Sequence, residues 1–542
     1  MNTIVRKTVC PMVLVFAAGL VGGCAEPARI ESGSTELAPQ VDLGPTIGSL
    51  AQVVTPQPVA VEGYGLVGSL PGTGSAECPP QIRAYLKRYI VAQLPEGKVD
   101  ADKLIDSDST AVVWLQGVIP AAASQGQRFD VAVVALPGTQ TTSLEGGWLY
   151  GAELWPGGKF GITGQPVATT EGAIFIDTLS SAQQNKRIGY ILGGGSAAHA
   201  YRATVVIRKP DYRVAGAIRD KLNGRFGRDV AKAVSSGLIE LKVPQRYKGQ
   251  ELRFTEIVRA TYLQESPEIV GERVKTFVRK LAVSDDKHSS EIALEAIGKE
   301  SLSKLAVLLN SSDQQVRLIC ARCMLSMGSD KGLETLRQIA MDADSAYRVE
   351  ALEAVAASAG RDDAITIART LLRDRNMTVV LSAYEQLRKL GDVTVTRESV
   401  GRIFDLEQVA QTEHKAVFVL RSGPPRIVLL GAPLSCRDDI FVQSQDGSVV
   451  IDSRAGQGYV SVTRKHPTRP IVLGPLRSTF ELSDIIKTLC EEPTRVDEGH
   501  RRGLGVSYAD AITLLKQMCD KDAITAEFWA GPLPEIGMAV KK

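Results

Sequence analysis

The stretch VEGYGLVGSLPGTG, Val61 to Gly74, decides how the first folded region is read. Gly63, Gly65 and Gly68 spell G-x-G-x-x-G, the spacing of a dinucleotide-binding loop. Such a loop needs a strand before it, a helix that starts inside it, and an acid about 20 residues further on. PVAVE supplies the strand. The helix fails, because Pro71, Gly72 and Gly74 break any helix begun at Gly65. Without that helix no N-terminal dipole faces a pyrophosphate. Residues 82–90 read as a basic amphipathic helix where the fingerprint wants a second strand. No nucleotide cofactor is expected. The glycines are expected instead to allow positive φ and close approach of chains: a strand, a turn at Pro71-Gly72, and a tight packing surface. That surface lies either inside one subunit or between subunits.

Around the stretch, residues 46–265 read as α+β. TAVVWLQGVI (110–119), RFDVAVVAL (128–136), GGWLYGAELW, GKFGITGQPVAT and GLIELKV (237–243) are strand patterns. PPQIRAYLKRYIVAQ is a helix pattern with Ile82, Leu86, Tyr89 and Ile90 on one face. DYRVAGAIRDKLNGRFG is another, with Val214, Ile218, Leu222 and Phe226 on one face and Gly227 after it.

At full length the opening stretch resembles the GYGLV-GL-GTGD signature of the bacterial flagellar P-ring protein family, through Gly63, Tyr64, Gly65, Leu66, Gly68, Gly72 and Gly74. Ser75 stands where that signature tends to Asp. The resemblance continues in order. Gly126, Gln127 and Asp130 match the family's GQ-IDV segment. Ser143, Leu144, Gly146 and Gly147 match SL-GG. RKPDYRVAGAIRDKLNGRFG is similar to a family helix, and GVSYADAITLLKQMCDKDAITAEF (505–528) to its C-terminal helix. The resemblance implies a structural subunit without cofactor and without enzymatic activity. It implies a homo-oligomeric periplasmic ring that acts as a bushing around the flagellar rod, in contact with L-ring proteins and peptidoglycan.

The first residues fix the compartment. Arg6 and Lys7 precede the apolar run VCPMVLVFAAGLVGG, which is too short to span a membrane and reads as a secretory signal. LVGGC resembles a lipobox, so 1–23 is expected as a lipoprotein signal peptide with Cys24 acylated and attached to the outer membrane. Residues 24–45 read as a flexible tether. Lys plus Arg is 63 against 61 acidic residues, a net charge of +2, which gives no footprint for nucleic acid. The five histidines show no metal spacing. Cys490 and Cys519 are candidates for a disulfide in an oxidising compartment.

Residues 266–284 read as a linker helix and 285–392 as helical repeats. Gly298, Gly328, Gly360 and Gly391 recur at spacings of 30, 32 and 31, each expected to close a helix. Asp-rich turns at Asp313, Asp344 and Asp374 precede later units, and the pattern resembles HEAT repeats stacked into an all-α solenoid that holds an unknown protein partner. Strands and helices return over 393–542. Cys320 and Cys323, in CARC, read as buried small residues of a helix. Gly193 to Ser196, followed by His199, reads as a flexible turn, lacking the G-x-S-x-G order of a serine nucleophile. The alternative to a ring subunit is an envelope lipoprotein scaffold unrelated to motility, with the repeats as its binding module.

Overall fold

The computed structural model describes residues 43–93, 100–157, 165–180, 185–466, 471–493 and 503–536. Cys24, the lipobox and the tether up to residue 42 lie outside these residues.

The chain opens with a short helix α1 (Ile47–Leu50) and strand β1 (Ala51–Val54). The glycine-rich stretch follows as β2 (Val59–Gly68), then α2 (Pro80–Gln93) and α3 (Ala101–Ile105). Strands β3 (Ala111–Ile119), β4 (Arg128–Ala135), β5 (Trp148–Pro156), β6 (Ala168–Ala173) and β7 (Ile188–Ala197) come next. With β2 they close a six-stranded barrel in the order β2-β3-β4-β7-β6-β5. A barrel this small is filled by side chains. Val61, Leu115, Val131, Val133, Leu149, Leu154 and Ile191 fill it. Part of the outer wall is covered by α2, which lays Ile82, Tyr85 and Leu86 on Leu66 and Val112. Tyr85 thus takes a place on the buried face that the sequence pattern gave to Tyr89 and Ile90, which are only partly buried.

A second sheet has the order β1-β8-β10-β9, with β8 (Ala203–Ile207), β9 (Ala231–Ala233) and β10 (Leu238–Leu241). Between β8 and β9 runs α4 (Tyr212–Phe226). Asp211 caps its start, and Gly227 ends it at φ +109°. Helix α5 (Glu251–Ala260) joins α4 on this sheet, burying Ile218, Leu222, Phe254 and Ile257 among Val205 and Ile239.

Eight helices follow in α6 (Pro267–Val283) to α13, namely α7 (Lys287–Ile297), α8 (Leu302–Leu308), α9 (Gln314–Ser326), α10 (Lys331–Met341), α11 (Arg348–Ser358), α12 (Arg361–Leu371) and α13 (Met377–Lys389). Ser266, Asp286, Asp313 and Asn376 accept amide hydrogen bonds at the starts of α6, α7, α9 and α13. Gly298, Gly328 and Gly391 follow their helices at φ +100°, +81° and +64°. Gly360 departs from the expected pattern. At φ −56° it is the N-cap of α12, because α11 has already ended at Ser358 in an extended Ala359. The segment read as a linker, α6, is packed at both ends: Arg273 is buried near Leu43, and Leu281 lies among Leu294 and Leu305.

The last part holds β11 (Val395–Val400), β12 (Phe404–Val409), β13 (Ala416–Val419), β14 (Arg426–Leu430), β15 (Ile440–Gln443), β16 (Val449–Ser453), β17 (Val460–Lys465), β18 (Val472–Ser478), α14 (Leu482–Cys490), α15 (Tyr508–Asp520) and β19 (Glu527–Ala530). They make a mixed sheet β11-β12-β14-β13-β19 and an antiparallel sheet β15-β16-β17-β18. Side chains alternate across a strand, so each face of the mixed sheet has its own partner. Val428 and Leu430 face the repeats, among Leu387 and Tyr384. Ile427 and Leu429 face Leu482, Ile485 and Leu515. Buried on both faces, β14 is apolar at four positions of RIVLL.

Candidate functional site

The glycines of β2 serve close packing, Gly63 and Gly65 on the barrel's inner side and Gly68 on its outer wall. β2 sits between β3 and β5, with Gly63 opposite Leu115 and Gly68 opposite Trp148. A methyl group on Gly65 would lie 2.8 Å from Leu149 Cδ1 and 3.2 Å from Leu115 Cδ1. One on Gly63 would overlap the Glu153 carbonyl, and one on Gly68 the phenol of Tyr150. Gly74 donates to the Asp108 carbonyl at 2.8 Å, and a side chain there would overlap the carbonyl of Thr110. On Gly147, a methyl would come within 2.6 Å of Val67. Gly72, Gly126 and Gly146 differ: they are turn residues at φ +78°, +75° and +73°, with open space around them. Leu66 is buried under α2, and Tyr64 lies half-buried in the same cluster. Gln127 Oε1 accepts from the Ser124 amide at 2.9 Å and closes a turn.

Gly193 to Ser196, read from sequence as a flexible turn, lies within β7. Small residues are required there because Phe129 crosses Gly195 and Pro424 presses on Gly193. Asp130, beside Phe129, makes the long-range contact. Its carboxylate accepts from the amide of Gly193 at 2.6 Å and from that of Gly423, between β13 and β14, at 2.9 Å. Burial raises the Asp130 carboxyl above its ordinary range, and the two amides oppose that shift. Around it the barrel meets the C-terminal part. Arg421 pairs with Asp177 at 3.2 Å, and Tyr508 donates to the carbonyls of Leu420 and Arg426 at 2.7 Å. Phe175 meets the Tyr508 ring at 6.0 Å, and Thr178 bonds Thr513.

A second junction joins the β1-β8-β10-β9 layer to the repeats. Glu291 and Glu295, both buried on α7, receive Arg253 from α5. Arg322 from α9 holds Glu291 with two bonds of 2.8 Å, and Tyr247 donates to Glu295 at 2.9 Å. Ligand atoms of Glu291, Glu295 and Cys323 lie within 4.8 Å of one another. The donor set nevertheless suits guanidinium, not a metal ion: both carboxylates are already neutralised, and a cation would meet Arg253 and Arg322. Burial also raises the Cys323 thiol well above its normal range, against thiolate formation. At the far end of the repeats, buried Glu407 accepts from Arg388 and Arg397 at 2.9 Å and from Tyr384.

Cys320 and Cys323 are buried free thiols. Cys490 and Cys519, the candidate pair, are also free. Cys490, the last residue of α14, is buried among Leu489, Leu504 and Val506.

The profile of the flagellar P-ring protein family matches residues 46–284, through the barrel, the second sheet and α6. These residues are similar to the flagellar P-ring family. The HEAT-repeat profile matches residues 302–388, within the helical stack. A flagellar P-ring protein of Thermotoga maritima is 28% identical over 233 residues, 40% of this chain and 66% of that protein. One of Wolinella succinogenes is 28% identical over 252 residues, covering 44% and 68%. The chain thus spans about two thirds of the length of the curated relatives it matches. The P-ring region holds every matched glycine described above, and Asp130. The resemblance of 505–528 lies beyond the matched residues. Sequence reasoning missed the partners of Asp130, since Gly423, Arg421 and Tyr508 carry no local signal that they meet the barrel.

Proposed function

We propose that this chain is a structural subunit of the flagellar basal-body P-ring, a periplasmic ring that acts as a bushing around the rod, with no catalytic role and no cofactor. The match of residues 46–284 to the P-ring family, over a complete barrel and its adjoining sheet, carries this reading. Copies arranged head to tail would close the ring through one repeated heterologous interface. Rod, L-ring proteins and peptidoglycan are its expected neighbours. The HEAT repeats are the expected seat of a further protein partner. Their solvent side is offered by α8, α10 and α12, where Val307 is exposed. Acylation of Cys24 would hold the ring at the outer membrane; among the described residues no helix is long and apolar enough to cross one.

The test is a deletion strain examined for swimming and, by electron cryotomography, for basal-body rings. Loss of the P-ring density, restored by the wild-type gene, is expected. Intact rings and normal motility would reject the reading. Mass spectrometry of the mature N-terminus decides the Cys24 question separately.

A further inference from the structure

On the outer wall of the barrel, β5 contains one extra residue. Leu149 and Ala152 pair with Gly172 and Thr170 of β6, three steps against two, so the register shifts between them. Opposite β2 the same strand gains one residue between Leu149 and Trp155. A bulge of this kind re-aims side chains and increases local twist. Here it turns Tyr150 and Gly151 outward together, next to outward-facing Trp148. Trp148 and Tyr150 are 48% and 42% exposed, on a wall whose other exposed positions include Thr169 and Glu171.

Two of the rings, Tyr150 and Tyr89, are held in place. Tyr150 lies across Gly68, filling the space a side chain there would take, so the signature glycine is its seat. Tyr89 stacks on Tyr85 with centroids 6.3 Å apart, and Tyr85 donates to Glu153 at 3.4 Å. Gly151 forms an open floor between them: the Tyr89 hydroxyl and a Glu171 carboxylate oxygen lie 3.6 and 3.8 Å from where its Cβ would be.

The geometry points to a carbohydrate platform, in which Trp148 and Tyr150 stack on the C–H face of a sugar while Tyr89 and Glu171 bond its hydroxyl or N-acetyl groups above Gly151. The inference rests on the envelope location proposed above for the source of the sugar, which is the glycan strand of peptidoglycan. Aromatic rings offer a flat apolar surface that keeps a polar edge, which suits an amphipathic pyranose. The carboxylates Glu62, Glu153 and Glu171 on this wall accept hydrogen bonds, and Arg83 and Lys87 of α2 are already paired with Asp102 and Asp106, so a neutral glycan backbone fits better than a nucleic acid or an anionic lipid. Rings already ordered lose little conformational freedom on binding.

The experiment uses the full chain and two probes. N-acetylchitotetraose is titrated against tryptophan fluorescence, and purified sacculi are used in co-sedimentation. The wild type is expected to bind both, with the fluorescence change lost in W148A. W148A/Y150A should weaken binding about tenfold or more, equal to about 1.4 kcal/mol. G151L, which fills the floor, should do the same. W529A, which removes an exposed ring on β19, should bind as wild type. Unchanged circular dichroism and melting of W148A/Y150A exclude misfolding. The inference is overturned if wild type shows no chitotetraose binding up to millimolar concentrations, or if both platform variants bind sacculi normally. It is also overturned if those variants lose only self-association, which would make this wall a contact between copies. Failure of the ring assignment is read independently in the deletion strain, where intact rings would leave sacculus binding untouched.

Discussion

The carboxylate of Asp130, on β4 of the barrel, accepts a 2.9 Å hydrogen bond from the amide of Gly423, which lies 293 residues later in the sequence. A residue matched to the family signature therefore fastens the P-ring region to the C-terminal sheets. Asp130→Ala leaves the amides of Gly193 and Gly423 without their acceptor. Both residues are partly buried, so the cost is at the low end of the about 1–3 kcal/mol of a buried group left unmet. A lower melting temperature and faster hydrogen exchange at residues 420–423 are expected, with the barrel strands still protected. Unchanged exchange in that loop would show the latch to be idle.

The glycines divide into two classes with different penalties. Gly65→Val pushes into Leu149 and Leu115, and overpacking of this kind costs about 1–3 kcal/mol. Gly74→Ala meets a carbonyl, which cannot swing aside, and should be at least as harmful. Gly72→Ala has open space and only its positive φ to contend with, about 1 kcal/mol. Urea midpoints ranked Gly72→Ala above Gly65→Val and Gly74→Ala would bear this out. Loss of ring assembly in Gly65→Val reports a damaged fold before it reports a lost contact between subunits.

The buried ion network predicts acid sensitivity. Burial pushes the carboxyl of Glu291 upward, but Arg253 and Arg322 outweigh it and hold the group below its ordinary value. Glu407 behaves the same way with burial opposed by Tyr384 and Arg388. A depressed folded pKa contributes stability that is present above the unfolded value, about 4.3, and is lost as pH falls below it through the folded one. Melting temperature should hold from pH 7 to about 5 and then fall. In Arg322→Ala, Glu291 keeps only Arg253, and breaking such a buried pair costs about 3–5 kcal/mol. A double-mutant cycle with Glu291→Gln should give a coupling of about 0.5–3 kcal/mol.

Thiol chemistry separates the cysteines. Burial pushes the Cys320 thiol up to about 12 and that of Cys519 up to about 11. In the native protein, maleimide should label the partly exposed Cys78 first, Cys519 slowly, and Cys323 and Cys490 only after denaturation. A native Cys490–Cys519 crosslink seen by mass spectrometry would contradict the arrangement.

Much of the local structure is legible in the sequence. The helices over 80–93 and 212–226, the strands over 111–119 and 128–135, and the stack with its glycines at 298, 328 and 391 follow from period, caps and turn residues. The barrel is not legible, because closure is set by the pairing of β2 with β5, about 90 residues apart, and alternation shows only that each strand has two faces. The Gly193–Ser196 run reads as a turn for the same reason: the ring of Phe129 that demands small residues there belongs to another strand. Gly360 reads as a helix end because glycine is common at both helix ends, and only φ tells them apart. At the platform, the G-x-G-x-x-G pattern hides its use, since Gly68 makes room for a tyrosine of a neighbouring strand.

Closure of the barrel has a consequence for how copies of this chain can meet. An open sheet edge offers unpaired amides and carbonyls to any other strand, and growth by that route has no natural end. With β2 and β5 bonded to each other, the barrel has no such ladder to offer. Neighbours must recognise its wall through side chains, where shape and charge set one angle between copies. A contact of that kind can be undone and tried again, which would let the ring proposed above reach a fixed size.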